Sequence, residues 1–89
     1  MYYTYVLLCK GKNKDPDLYI GSTSDLRKRI VKHKAKDVNT TKKFDTVTLV
    51  YYEACLIKKD ALKRELQLKT GFGRWYLKRR LENNFAELV

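Results

Sequence analysis

The sequence is short of the features that mark secreted, metal-stapled or membrane-spanning chains. It has only two cysteines and one histidine. Cys9 and Cys55 sit far apart in apolar, strand-like segments, and neither belongs to a CxxC or a Cys/His pair at ligand spacing. That argues against zinc, and for reduced core thiols over a disulfide. No apolar run approaches the roughly 18 residues of a membrane span, and MYYTYVLLCK lacks the basic start of a secretory leader. The chain is therefore expected to be soluble, unprocessed and cytoplasmic. Acid is also scarce. Ten Asp and Glu face twenty Lys and Arg, for a formal charge of +10 on 89 residues.

The excess of cations runs through both halves, so this is a basic fold and not a basic tail. A polyanion partner follows: nucleic acid, or an anionic membrane surface. The membrane reading needs an amphipathic helix whose apolar face is free to insert. A small domain hides only about 60% of its unfolded surface, and needs those faces for its core, so nucleic acid is favoured. Apolar residues make up 44% of the chain and aromatics 12%, which places it among globular and not disordered sequences. The length suits one domain, residues 1–89.

Residues 2–9, YYTYVLLC, are aromatic and β-branched and read as a strand with Tyr3, Tyr5 and Leu7 on one face. KGKNKDPD reads as a hairpin loop, and 18–20 as a short antiparallel strand. Gly21-Ser22-Thr23-Ser24-Asp25 reads as a helix start, with Ser22 and Asp25 as a weakened capping box and the helix running to about residue 35. Residues 36–45 form a polar connection, 46–54 a third strand, and a helix covers about 59–69, stopped by Gly71 and Gly73. A last helix covers roughly 74–84. The expected class is α+β: a small three-stranded antiparallel sheet with helices packed on it, in the order ββαβαα.

Helical angles then pick out the chemistry. With Leu26 at zero, Ile30 lies at about +40°, His33 at about −20° and Arg29 at about −60°. His33 therefore sits on the core stripe, with Arg29 at its margin, able to reach an anion near the strand–helix turn. With Ala61 at zero, Glu65 falls at about +40°, inside the apolar arc, and Lys69 one turn beyond. A carboxylate there can be resolved by a Glu65–Lys69 pair, by protonation, or by a metal ion. Tyr5 and Tyr19 lie on hairpin-paired strands and are expected to share a face. Phosphodiester hydrolysis uses such a kit: a hard metal on a carboxylate, a cation for the developing negative charge, and a base for water. Tyr5, Tyr19, Arg29, His33 and Glu65 are accordingly expected to line one cleft on one sheet face.

Tyr3-Thr4-Tyr5, Tyr19-Ile20-Gly21, Arg29, His33 and the Glu65 of ALKRELQLK together resemble the GIY-YIG endonuclease superfamily, over essentially the whole chain. More narrowly, the chain is similar to small stand-alone members related to the nuclease domain of the excinuclease C subunit. The resemblance implies a metal-dependent endonuclease cutting DNA with low base specificity, in repair or processing. It makes Tyr5 and Tyr19 a general base and a phosphate or water ligand, in an order it does not set. It gives Arg29 the transition state, His33 a place near the nucleophile, and Glu65 a single Mg²⁺ or Mn²⁺. No small-molecule cofactor is implied. Tyr3 and Thr4 replace the family's glycine and isoleucine, and the asparagine that often follows the glutamate helix is absent from KTGFGRWYLKRRL. Lys28, Lys32, Lys69, Arg74, Lys78, Arg79 and Arg80 are the candidate nucleic-acid contacts. The competing reading is a non-catalytic DNA- or RNA-binding module on the same fold.

Overall fold

A computed structural model describes residues 1–88. Strands β1 (Tyr2–Gly11), β2 (Lys14–Thr23) and β3 (Thr46–Cys55) form one antiparallel sheet in the order β2-β1-β3. Helix α1 (Leu26–Lys34) lies between β2 and β3 in the chain, and α2 (Lys58–Leu68), α3 (Gly71–Arg80) and α4 (Glu82–Leu88) follow β3. The α+β class and the order ββαβαα hold, with the last helical segment divided at Leu81 into α3 and α4.

The central position of β1 follows from its composition. Tyr5, Val6, Leu7, Leu8 and Cys9 are all buried, which only a strand covered on both faces can achieve. Tyr5, Leu7 and Cys9 pack with Phe44 against Tyr19, Leu26 and Ile30 on the α1 side. Val6 and Ile20 pack with Leu68 and Leu77 on the α2–α3 side. Two thin cores thus share one strand. Each buried Leu or Val contributes about 1.5–3 kcal/mol relative to exposure. Thr4, buried on the second face, donates its hydroxyl to the Ala61 carbonyl at 2.8 Å and ties β1 to α2. In β3, Tyr51 pairs with Val6 and Leu49 with Leu7, leaving Val50 as a bulge.

Several boundaries differ from expectation. The hairpin loop is only Lys12-Asn13, with Asn13 at φ 61, and KDPD belongs to β2. This segment reads as loop because β2 is an edge strand and stays exposed there. An edge position also tolerates Pro16, which has no N–H to give to a ladder. Ser22 and Thr23 close β2 instead of opening α1, and the cap is Asp25 itself, accepting from the Lys28 amide. Gly71 and Gly73 do not end a helix but begin one. Thr70 caps α3, accepting from the Gly73 amide at 3.1 Å. Gly73 sits where α3 presses on the end of α2, and a Cβ there would lie 2.4 Å from the Gln67 carbonyl oxygen.

Both cysteines are free. Cys55 pairs across the sheet with Tyr2, seven residues along β1 from Cys9, which at about 3.3 Å per residue is far beyond disulfide reach. Among the described residues no helix is long and apolar enough to cross a membrane.

Candidate active site

The hairpin register builds the first half of the site. Tyr5 lies opposite Gly21 and Leu7 opposite Tyr19, so both tyrosines point to the α1 face. Their rings stand with centroids 6.2 Å apart, and the His33 imidazole packs edge-on to each, 4.9 Å from Tyr19 and 5.7 Å from Tyr5. His33 is buried and Arg29 half-buried, as the helical angles require. Arg29 Nε donates to the Tyr5 hydroxyl at 3.3 Å, and His33 Nε2 lies 2.9 Å from the same oxygen. Four predicted residues thus meet around one phenol.

Gly21 explains why a glycine must follow Tyr19-Ile20. A Cβ at this position would lie 2.6 Å from the Tyr5 hydroxyl oxygen and 2.8 Å from Cζ. The phenol occupies the space a side chain would fill. Tyr5 is 0% exposed and held by two polar partners, so it has no room to yield.

Burial pushes the Tyr5 phenol up to about 12, against the opposing hydrogen bond from Arg29. Burial, and then the Arg29 charge, hold His33 below the ordinary imidazole value. The ring is therefore neutral near pH 7. Its other nitrogen, Nδ1, lies 2.8 Å from the buried Thr41 hydroxyl. Whichever nitrogen carries the proton, the ring couples the Tyr5 hydroxyl to that of Thr41.

Thr41 is a site residue that sequence reasoning missed, inside what was read as a polar connection. The signal was a spacing of three: Val38, Thr41 and Phe44 are the buried residues of this segment. Its turns are closed by Thr41 N to Val38 O and Phe44 N to Thr41 O.

Glu65 does not join the other four on their face, contrary to expectation. It stands on α2, which packs on the Val6–Ile20 side of the sheet, and its carboxylate therefore approaches β2 from that side. Oε1 accepts from the Ser22 hydroxyl at 2.5 Å, and Oε2 pairs with Lys69 Nζ at 2.6 Å. Ser22 neighbours Gly21, so the carboxylate and the Tyr5 hydroxyl flank a single dipeptide near the C-terminal end of the edge strand. The site wraps around an edge instead of lying on a face. A groove of about 440 Å³ along this edge is lined by Tyr19 from one layer and by Lys69 and Arg74 from the other, with Ile20 and Thr41.

Burial tends to raise the Glu65 carboxyl, but hydrogen bonds from Lys69 and Ser22 and the Lys69 charge outweigh it, leaving the group below the ordinary value. It is ionised near neutral pH. Among the described residues no three His, Cys, Asp or Glu side chains cluster at ligand distance. The donor set is one hard carboxylate, which suits a weakly held Mg²⁺ or Mn²⁺ completed by water and phosphate. The fit requires Lys69, whose side chain is 49% exposed, to swing aside.

Residues 1–83 match the family model of the GIY-YIG catalytic domain. The chain belongs to the GIY-YIG family. Among curated proteins it is 41% identical over 70 residues to a UPF0213 protein of Staphylococcus saprophyticus, covering 78% of this chain and 80% of that one. A UPF0213 protein of Staphylococcus haemolyticus is 39% identical over the same shares. One from Bacillus pumilus is 37% identical, over 78% of this chain and 67% of its own. No solved structure matches.

The other cations singled out in the sequence lie on the helices of this GIY-YIG domain. Lys28 and Lys32 are exposed on α1. Arg74, Lys78, Arg79 and Arg80 are exposed on α3, with Arg74 in a loose 3.8 Å pair with Asp17 and the Arg79 guanidinium 5.7 Å from the centroid of the Trp75 ring. Lys69 differs from these, since it is engaged with Glu65.

Proposed function

We propose that residues 1–89 are a single nuclease domain that hydrolyses phosphodiester bonds in DNA, with a divalent metal on Glu65 and little base specificity. The observation that carries this reading is the Tyr5 hydroxyl seated over Gly21, between Arg29 Nε and His33 Nε2. As mere packing such an arrangement is costly, because it buries the Tyr5 hydroxyl and the His33 ring and half-buries a guanidinium. It makes a good scaffold for a cation that must be aimed.

In this proposal the two tyrosines divide the work by exposure. Tyr5 is fully buried and does not reach solvent. Its hydroxyl accepts from Arg29 Nε, so the two terminal nitrogens of the guanidinium remain for the charge that develops on phosphorus. Tyr19, half-buried and lining the groove, is the phenol that meets the attacking water or the phosphate. With its N–H on Nδ1, toward Thr41, His33 keeps Nε2 free to share or accept the Tyr5 proton. Glu65 would hold a divalent ion, whose contribution there would be to polarise the scissile phosphate and offset charge on the leaving oxygen. Lys69, paired with Glu65 and half exposed, would be free to hold a phosphate oxygen at the same edge once that pair opens. The exposed cations of α1 and α3 hold the backbone and position it without reading it. Cytoplasmic location in a repair or processing role is part of the same proposal, consistent with thiols at Cys9 and Cys55 that cannot pair.

The test is incubation of the full chain with supercoiled plasmid, branched DNA and RNA, with Mg²⁺ or Mn²⁺ and with a chelator. Cleavage of DNA by wild type, lost in chelator and in Tyr19→Phe and Glu65→Gln, is the expected result. Tight binding with no cleavage of any substrate in either metal would replace the nuclease with a binding module.

A further inference from the structure

Helix α3 carries an aromatic surface that the catalytic groove does not use. Phe72 is 73% exposed and Trp75 56% exposed, with ring centroids 5.9 Å apart and planes 34° apart. The Arg79 guanidinium covers the Trp75 ring at 5.7 Å. In a chain with so thin a core, leaving these two rings in water forgoes one of the larger apolar contributions available to it. Their spacing of i, i+3 and i+7 places Phe72, Trp75 and Arg79 within an arc of about 60° on one side of the helix.

The surroundings select the occupant. The α3 sequence GFGRWYLKRR has four cations and no acid. Going around the helix at about 100° per residue, Trp75 is followed by Lys78 and then Arg74. Arg74 lines the edge groove with Tyr19 and Lys69, and with Lys78 it also lines the neighbouring groove beside Leu18. Asp17 and Glu82 also line these grooves, but Lys43, Lys69, Arg74 and Lys78 outnumber them, so a net positive band runs between the cleavage groove and the aromatic pair. Phosphates suit the band, and flat apolar faces beside it suit bases. Bases in an intact duplex are stacked on one another and offer only their edges, so the rings have no partner there. Unpaired bases have free faces, and every base has one.

We infer that Phe72 and Trp75 form a stacking platform for unpaired nucleobases, so that the favoured nucleic acid is a single-stranded segment, flap or frayed end whose backbone crosses Lys78 and Arg74. The choice of nucleic acid as partner rests on the nuclease reading, but the platform is tested by binding alone. Arg79 stiffens the Trp75 ring from one side and supplies a cation beside the stacked base.

The chain has a single tryptophan, so its fluorescence reports on the platform directly. The experiment titrates the full-length Glu65→Gln chain, which leaves substrate uncut, with a short oligothymidylate and with a duplex of equal length. Single strand quenches Trp75, and Phe72→Ala weakens its binding by roughly 10-fold or more, the scale of one lost base stack. Duplex binding changes by less than about twofold, and the salt slope stays the same because the phosphate contacts remain. Phe72→Tyr keeps single-strand affinity and Phe72→Leu loses it, which separates ring stacking from apolar packing. Unquenched fluorescence on binding single strand, or equal losses on both nucleic acids, overturns the platform. So does sedimentation of wild type as a dimer that Phe72→Ala splits, which would make this face a contact between copies. If wild type cuts nothing while Phe72→Ala loses single strands selectively, the platform stands and the nuclease falls. Cleavage of duplex by a chain whose fluorescence ignores single strands has the opposite meaning.

Discussion

Replacing Gly21 by alanine adds one methyl group, and the structure says where it goes. The new Cβ would lie 2.6 Å from the Tyr5 hydroxyl oxygen, 2.8 Å from its Cζ and 3.1 Å from Tyr19 Cε1. No described glycine has a positive φ, so alanine meets no backbone obstacle at this position. Without the contact, Gly→Ala would stabilise by about 0.4–1 kcal/mol through the unfolded chain. Overpacking costs about 1–3 kcal/mol, and displacing the phenol from Arg29 and His33 strips a buried hydroxyl of its partners, another 1–3 kcal/mol or so. The net expectation is a loss of about 2–4 kcal/mol, which at about 4–8 °C per kcal/mol lowers Tm by roughly 10 °C or more. Nuclease activity should fall further than stability, because Arg29 loses its anchor.

Two other glycines provide controls. A Cβ on Gly71 meets nothing within 4 Å, so Gly71→Ala should be neutral or stabilising by up to about 1 kcal/mol. A Cβ on Gly73 meets the Gln67 and Leu68 backbone at 2.4–2.5 Å, so Gly73→Ala should destabilise strongly while leaving the tyrosine cluster alone. Urea titration gives the stabilities, and single-turnover cleavage at a temperature where each variant is folded gives the rates. Wild-type stability and rate in Gly21→Ala would refute the close seating of Tyr5 over the YIG glycine.

Arg29→Ala should lower single-turnover cleavage by roughly 10²-fold or more, the scale of one lost oxyanion donor, with only a modest loss of DNA affinity; an equal loss in both would assign Arg29 to binding. Because burial and Arg29 hold His33 below the ordinary value of about 6.5, the unfolded chain takes up a proton there before the folded one does. Stability should therefore decline as pH falls from about 6.5, and His33→Gln should flatten that part of the melting profile; an unchanged profile would mean that His33 titrates normally. Lys69→Met removes the cation that competes at Glu65 Oε2, and should tighten Mn²⁺ binding in calorimetry by about two- to fivefold, small because the pair is partly exposed. Weaker Mn²⁺ binding would show that Lys69 supports the site instead of competing for it.

Periodicity reaches as far as a residue's own element. The apolar run at 2–9 marks β1 as the strand buried on both faces, and angular position puts His33 on the core stripe and Glu65 in an apolar arc beside Lys69. These are local properties, set by the period of the backbone and the chemistry of single side chains. What escaped were relations between elements. KDPD looked like a loop because an edge strand has no second neighbour to bury it. Gly71 and Gly73 looked like a stop, yet both lie in the first turn of α3, and only a residue without a Cβ at Gly73 lets that helix touch the end of α2. Ser22 looked like a cap until the register turned its hydroxyl toward Glu65 on a helix 43 residues away. Thr41 had no local mark beyond a spacing of three, and acquired its role only where the chain folds back over His33. Sequence alone determined which side chains are chemically out of place in their own helix or strand. The tertiary structure decided which of them meet, and that the meeting place is the two sides of an edge strand and not one face, because α1 and α2 cover opposite faces of the same three strands.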